Sequence, residues 1–194
     1  MNSTKSTTGQ SRLDLPSGSR SPALGVIVAR LAWGLAWTLL FRPWPRRLGN
    51  GFRAGLLRLF GARVGRNVLL SPSMRVMKPW ELVIGDYTAI GENVYFYNFC
   101  LIEVGSMTVI SQDCYLCTGS HDHLDPQMPL TIKPVKIGSD AWVAAGAFVH
   151  PGVVIGDGAV IGARSVVTKS MPDWTVCAGH PCKPIKPRIL KHNE

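Results

Sequence analysis

The chain has 194 residues, 46 % of them hydrophobic, so it can fill a core and is not a disordered protein; 20 Gly, 14 Pro and only 17 % charged residues also exclude a helix bundle. Five cysteines, an odd number with a single Cys-x-x-Cys spacing (Cys114–Cys117) and no second one to pair with it, give neither a disulfide framework nor a zinc ribbon and point to a reducing compartment. The formal charge of +9 is unevenly placed, with eleven Lys and Arg against Asp14 alone in residues 1–66 and near neutrality beyond, which excludes a basic nucleic-acid-binding face on the folded body.

Residues 1–22 are rich in Ser, Thr and Gly and nearly free of large apolar groups, which predicts a disordered tail. Residues 23–60 are expected to form a helical, basic leader. Its apolar stretch from Ala23 to Phe41 is interrupted by Arg30 and Thr38 and stopped by Pro43. As a membrane span it would place Arg30 near the bilayer centre at a cost of about 2.5–3.5 kcal/mol, so a helix lying in the interface is cheaper. On that reading, residues 24–60 meet an anionic membrane surface: Trp and Leu side chains sit at the lipid boundary, and Arg30, Arg42, Arg46 and Arg47 face the head groups. The competing reading has two helices packed on the body or on a neighbouring subunit, with the arginines solvated.

From Val64 onward an aliphatic residue recurs every six positions, with a small residue four places after it. The clearest run starts its units at Ile137, Val143, Val149, Ile155, Ile161 and Val167; an earlier set starts at Ile84, Ile90 and Phe96 and, after a two-residue slip at Ile102–Glu103, at Val104, Ile110 and Leu116. A period of six fits neither an α-helix nor a simple alternating strand, but it fits a solenoid with short flat faces. Three units make an 18-residue coil that places Ile137 over Ile155, Val143 over Ile161 and Val149 over Val167. No coil could bury these groups alone. The small residues Thr88, Cys100, Cys114, Ala141, Ala147, Ala159 and Ser165 then fit the tight interior, which makes Cys100 and Cys114 structural. The predicted fold is all-β, a parallel β-helix of hexapeptide repeats over residues 61–176, preceded by the leader and followed by a C-terminal arm, 177–194.

The rhythm runs to His121 and resumes at Ile137. Between them lies an excursion, residues 122–136, with Pro126, Pro129 and Pro134. An irregular loop in a monotonous solenoid points to function, and His121 stands at its root. His121, His123 and Asp125 are metal-ligand types close together, but no His-x4-His pair accompanies them, as the zinc carbonic anhydrases built on such a solenoid would require; no metal is expected. His150 and His180 are read as surface residues.

The units from Val64 to Pro172, the stretches Pro79-Trp-Glu-Leu-Val-Ile-Gly-Asp and Ile110-Ser-Gln-Asp-Cys-Tyr-Leu-Cys-Thr-Gly-Ser-His-Asp, and the segment from Val176 to Lys186 resemble the left-handed β-helix acyltransferases. Within them the resemblance is to the colanic acid biosynthesis acetyltransferases, relatives of the maltose and galactoside O-acetyltransferases. Left-handedness is implied by the resemblance alone, because the general rule for parallel crossovers favours a right-handed path. The resemblance further implies a homotrimer with sites between protomers, acetyl-CoA as co-substrate and no metal. The acceptor would be a sugar hydroxyl, free or on a lipid-linked saccharide of an exopolysaccharide, and the location cytoplasmic, peripheral at the inner membrane face.

Transfer of an acetyl group from a thioester to a hydroxyl needs a base for the hydroxyl proton, a task suited to imidazole. The family's Thr-x-x-His segment is Thr118-Gly-Ser-His121, which assigns His121 as general base. The residue after the histidine, more often Pro in the family, is Asp122; it either orients the imidazolium or starts a turn. Ser120, Asp122, His123 and Asp125 are the candidates for contacting the acceptor, Ser120 also for meeting the oxyanion. Acetyl-CoA would lie against Trp142, Ala145, Gly146, Gly162 and Ala163, with Thr168 and Lys169 following and Lys183, Lys186 and Arg188 reaching its phosphates from the arm. The alternatives are a silent trimeric scaffold, distinguished by lack of a base at the loop root; a zinc carbonic-anhydrase-like enzyme, distinguished by bound zinc; and N-acetyl transfer to an amino sugar, distinguished by a product stable to mild alkali.

Overall fold

The computed structural model describes residues 23–45 and 49–191. The tail 1–22, Arg46, Arg47 and His192 lie outside the described residues. From Arg63 to Val167, strands of two or three residues alternate with corners and the long excursion, and the strands stack into three faces. The first is built from Arg63–Val64, Leu82–Ile84, Ile102–Val104, Val135–Ile137 and Val154–Ile155; the second runs from Leu69–Leu70 to Val160–Ile161 and Thr175–Gly179; the third runs from Arg75–Val76 to Val166–Val167. Pairing along each stack is parallel, and Ile137 faces Ile155, Val143 faces Ile161 and Val149 faces Val167, as the six-residue period requires. The fold is therefore the expected stacked-coil β-solenoid, with five complete turns and a sixth begun where Met171 bridges to Ile155.

The inward aliphatics form the core. Leu70, Ile90, Ile110, Val143 and Ile161 form one fully buried ladder, each side chain contributing about 1.5–3 kcal/mol on burial. Of the small residues expected inside, Thr88, Cys114, Ala141, Ala147, Ala159 and Ser165 are buried; Cys100 is only half-buried, because it sits where the coil widens. Burial pushes the Cys114 thiol up to about 11, which leaves it protonated and inert.

The turns are not equal. Val64 pairs with Ile84 and Ile84 with Val104, twenty residues apart, whereas Ile137 pairs with Ile155, eighteen apart. In the early turns the extra residues sit at the edge between the third and first faces. There Asn98, fully buried, donates from Nδ2 to the carbonyls of Lys78 (2.7 Å) and Glu81 (3.0 Å) and accepts from Lys78 N–H (3.0 Å). The long excursion of the third turn leaves from this same edge.

A parallel solenoid ends in unpaired backbone groups, a template for unwanted strand pairing unless covered. The leader covers one end. Helix α1 (Leu24–Ala36) continues into a π-helical turn, Trp37–Phe41, and helix α2 spans Asn50–Leu59. The indole N–H of Trp33 donates to Val76 O (2.7 Å), that of Trp37 to Met74 O (2.8 Å), and Arg58 donates to Val64 O and Gly65 O (3.0 and 2.7 Å). Arg53, fully buried, donates from Nε to Leu70 O (3.1 Å) and from its two terminal nitrogens to Trp44 O and Pro45 O (2.8 and 3.2 Å). At the far end the antiparallel strand Cys182–Pro187 folds back on Thr175–Gly179, which spans the expected start of the arm.

Of the two readings of the leader, the packing of two helices on the body is what is seen, with one correction to each: Trp33 is buried against the first coil rather than placed at a lipid boundary, and Arg53 is buried rather than solvated. Carbonyls with no preceding coil to satisfy them recruit such donors. Arg53→Met is accordingly expected to destabilise the protein by about 2 kcal/mol in denaturant unfolding, since Leu70 O loses its donor in the interior while Trp44 O and Pro45 O can turn towards water.

Candidate active site

The root of the excursion is rigid before it leaves the solenoid. Thr118, fully buried, accepts at Oγ1 from Phe99 N–H (2.8 Å), and its carbonyl accepts from Lys133 N–H (2.9 Å), so one residue pins both ends of the loop. Beyond it Gly119–His121 pairs antiparallel with Leu130–Ile132, with His121 opposite Leu130, which makes the loop a hairpin standing on the edge between the third and first faces. The Phe99 ring lies against Gly119, where a Cβ would come within 2.5 Å of Phe99 Cδ2. Lys78 in turn donates from Nζ to Phe99 O (2.8 Å), its ammonium 5.9 Å from the ring centre.

His121 is exposed, and its Nδ1 lies 2.6 Å from Met128 O. A carbonyl only accepts, so Nδ1 carries a proton, and in the neutral tautomer this leaves the lone pair on Nε2. Met128 delivers that carbonyl from a left-handed backbone conformation, φ 46°, the kind of local strain that gathers at functional sites. When Nε2 takes a proton, the Nδ1–H bond remains and strengthens. This is the arrangement a general base requires.

The two aspartates of the loop turn inwards on its backbone. Asp122 Oδ1 accepts from Leu124 N–H (3.0 Å) and Asp125 Oδ1 from Gln127 N–H (2.8 Å), the short-range turns these residues favour. Asp122 thus starts a turn, the second of its two expected roles, and His121 is oriented by Met128. Ser120 faces Thr131 in the hairpin and is exposed, as is His123. Among the described residues no group of three or more His, Cys, Asp or Glu stands together as a metal-binding set. His150 packs edge-on against Phe148 at 5.1 Å on the third face, and the His180 ring contacts Arg164 O.

The residues expected along acetyl-CoA are distributed over all three edges of one prism. Ala145, Gly146, Gly162 and Ala163 follow the strands Trp142–Val143 and Val160–Ile161 and therefore lie on the edge between the second and third faces. Thr168 and Lys169 follow Val166–Val167, on the edge that carries His121 two turns earlier; both are exposed, and Lys169 makes no ion pair with the described residues. Arg188 occupies the remaining edge, donating to Asp140 O (2.6 Å) and Gly158 O (2.9 Å) with its guanidinium 5.8 Å from the Trp174 ring centre. Trp142 is half exposed on the second face, its indole N–H donating to Ser111 Oγ (3.0 Å). Lys183 and Lys186 are exposed on the last strand.

Sequence reasoning named Thr118 only as part of a motif and missed Phe99, Lys78 and Met128. Lys78, Asn98 and Thr118 recur at twenty-residue intervals, the period of the early turns, and that spacing was the available signal for the first two rungs.

Residues 134–169 match the family described as bacterial transferase hexapeptide (six repeats). The chain is 42 % identical over 179 residues to the Escherichia coli K12 protein assigned as colanic acid biosynthesis acetyltransferase WcaF, covering 92 % of this chain and 96 % of that one. Among solved structures, a galactoside acetyltransferase in complex with coenzyme A superposes with a TM-score of 0.75 at 26 % identity, covering 84 % of this chain and 82 % of its own. A maltose O-acetyltransferase from Clostridium difficile 630 gives 0.72 at 27 % identity, covering 86 % and 90 %.

Proposed function

Because the chain belongs to the hexapeptide-repeat acetyltransferases, we propose that it moves an acetyl group from acetyl-CoA to a sugar hydroxyl in exopolysaccharide biosynthesis, with His121 as the general base. The observation that carries the role of His121 is the 2.6 Å contact of Nδ1 with Met128 O, which leaves Nε2 as the free basic nitrogen at the root of the hairpin.

In this reaction Nε2 takes the acceptor's hydroxyl proton as the oxygen attacks the thioester carbonyl. The oxyanion of the tetrahedral intermediate is met by a backbone N–H at the loop root or by the Ser120 hydroxyl. Collapse breaks the carbon–sulfur bond, and the imidazolium returns its proton to the departing thiolate. Acetyl-CoA lies along Ala145, Gly146, Gly162 and Ala163 beside Trp142, small residues that let its thin pantetheine arm approach the backbone, and the unpaired Lys169 ammonium and Thr168 hydroxyl meet its polar end.

These residues occupy separate edges of one protomer, which supports a site completed by a second copy in a closed homotrimer. Within it His121 and Trp142 come from different chains. Five free thiols support a reducing, cytoplasmic location. The surplus of positive charge in the leader supports peripheral attachment of residues 24–60 to an anionic membrane surface, where a lipid-linked saccharide would be presented.

The test is calorimetric titration with acetyl-CoA, which does not depend on knowing the acceptor. Saturable binding near one site per subunit is expected, weakened about tenfold by Lys169→Ala, the loss of one phosphate contact. Absence of binding by well-folded protein would overturn the transferase reading.

A further inference from the structure

The cap uses one side of α1 and leaves the other bare. Leu24, Val28, Leu31, Leu35 and Leu39 recur at helical spacing and are each between 56 and 76 % exposed, a continuous apolar stripe on the side away from the buried Trp33 and Phe41. The stretch Leu24–Phe41 has a mean hydropathy of 1.8 over 18 residues, enough by length and composition to cross a bilayer. The indole bonds of Trp33 and Trp37 to the first coil hold it instead along the surface of the solenoid.

Beside the stripe, between α1 and the third face, lies a cavity of ≈ 340 Å³ lined by Arg30, Trp33, Gly34, Trp37, Arg75 and Tyr95 among others, with no carboxylate in its wall. Gly34 leaves its mouth open, since a Cβ there would meet nothing within 4 Å. Arg42 and Arg75 lie over the Trp37 ring at 5.7 and 5.8 Å. None of Arg30, Arg42 and Arg75 forms an ion pair with the described residues. Apolar side chains in a row with unpaired guanidiniums beside them match a boundary between acyl chains and anionic phosphates. A second copy seated on the same stripe would instead bring together two leaders that each carry eleven Lys and Arg against one Asp over residues 1–66, a like-charge contact.

We propose that the leucine stripe of α1 and the Arg30–Arg75 cavity form a docking face for an anionic phospholipid bilayer, with α1 lying in the plane of the interface and a lipid phosphate held in the cavity. The proposal deepens the membrane reading above, on which it rests, and places the edge of the solenoid nearest α1 against the lipid.

The experiment is flotation of the full-length protein with phosphatidylglycerol and phosphatidylcholine vesicles. Phosphatidylglycerol vesicles are expected to bind it and to lose it at high salt. The pair Leu31→Glu with Leu35→Glu should lower binding on the order of a hundredfold, and Arg30→Gln with Arg75→Gln should reduce the preference for phosphatidylglycerol roughly tenfold. All four side chains are exposed, and unchanged melting and acetyl-CoA binding would verify that the variants are folded. Binding that survives the glutamates overturns this face and leaves the membrane reading to another part of the leader. No binding by the wild-type chain overturns both. A fall in oligomeric mass in the leucine variant, with vesicle binding intact, assigns the stripe to a second copy and overturns the proposal.

Discussion

Replacing His121 by alanine is expected to lower acetyl transfer by about 10²- to 10⁴-fold, the usual contribution of a positioned general base, while leaving acetyl-CoA binding within about twofold of wild type. The two measurements separate chemistry from binding, because the residues proposed to hold the co-substrate, Lys169 among them, are not in contact with the imidazole. His121 is exposed and, among the described residues, its one side-chain hydrogen bond runs to Met128 O within the same hairpin, so its removal leaves the buried ladders untouched and the melting temperature close to wild type. A variant that kept full activity would show that the proton leaves the acceptor by another route.

The base is only as useful as its support. Thr118→Val keeps the volume of the side chain and removes the acceptor for Phe99 N–H, which frees the root of the hairpin to shift. A displacement of a catalytic group by about 1 Å can cost on the order of a hundredfold, so Thr118 is a positioning residue whose loss should lower kcat with little change in KM for acetyl-CoA.

The contrast between Thr118 and Ile110 shows what was legible in the sequence. Ile110 announces itself through a six-residue period that recurs for most of the chain, and each repeat says the same thing about which side chain points inwards. The sites where the period breaks carry less redundancy. His121 was found because the loop begins there and because the family motif marks it, whereas Phe99 is visible only once the early turns are known to need twenty residues. The partners of the cap's side chains were illegible for a different reason. Trp33, Trp37, Arg53 and Arg58 answer to carbonyls of Val76, Met74, Leu70 and Val64, and those carbonyls lack partners only because the first coil has nothing before it. A linear reading can place the helices on the body but still leaves their arginines to membrane or solvent; the fold turns Arg53 and Arg58 to its own open end. The split of the residues expected along acetyl-CoA over three edges has the same origin, since position along a coil fixes the edge but not which edges a neighbouring protomer brings together.

The largest effect on stability is expected from a glycine that no catalytic reading touches. At the edge between the first and second faces, glycines stack turn upon turn, and side chains beside them knit the turns together. Asp86 N–H donates to Ser106 Oγ (3.0 Å), Ser106 N–H to Ser139 Oγ (3.2 Å), Ser139 N–H to Asp157 Oδ1 (2.7 Å) and Asp157 N–H to Asp173 Oδ1 (2.9 Å). Such a ladder requires the backbones to approach closely. A Cβ on Gly105 would stand 2.5 Å from Ser139 N, 2.6 Å from Gly138 C and 2.7 Å from Gly138 O, all main-chain atoms that cannot swing aside. Gly105→Ala is therefore expected to cost about 3 kcal/mol or more, the upper range for overpacking, read as a lowered denaturant midpoint at an unchanged slope. Gly55→Ala is the matched control: it lies in α2, is exposed, and its Cβ would meet nothing within 4 Å, so the same chemical change should raise stability by about 0.5–1 kcal/mol through helix propensity. Opposite signs from one substitution type would locate the cost in the close stacking of the coils, whereas similar small effects at both positions would show that the turns can part and re-form around a methyl group.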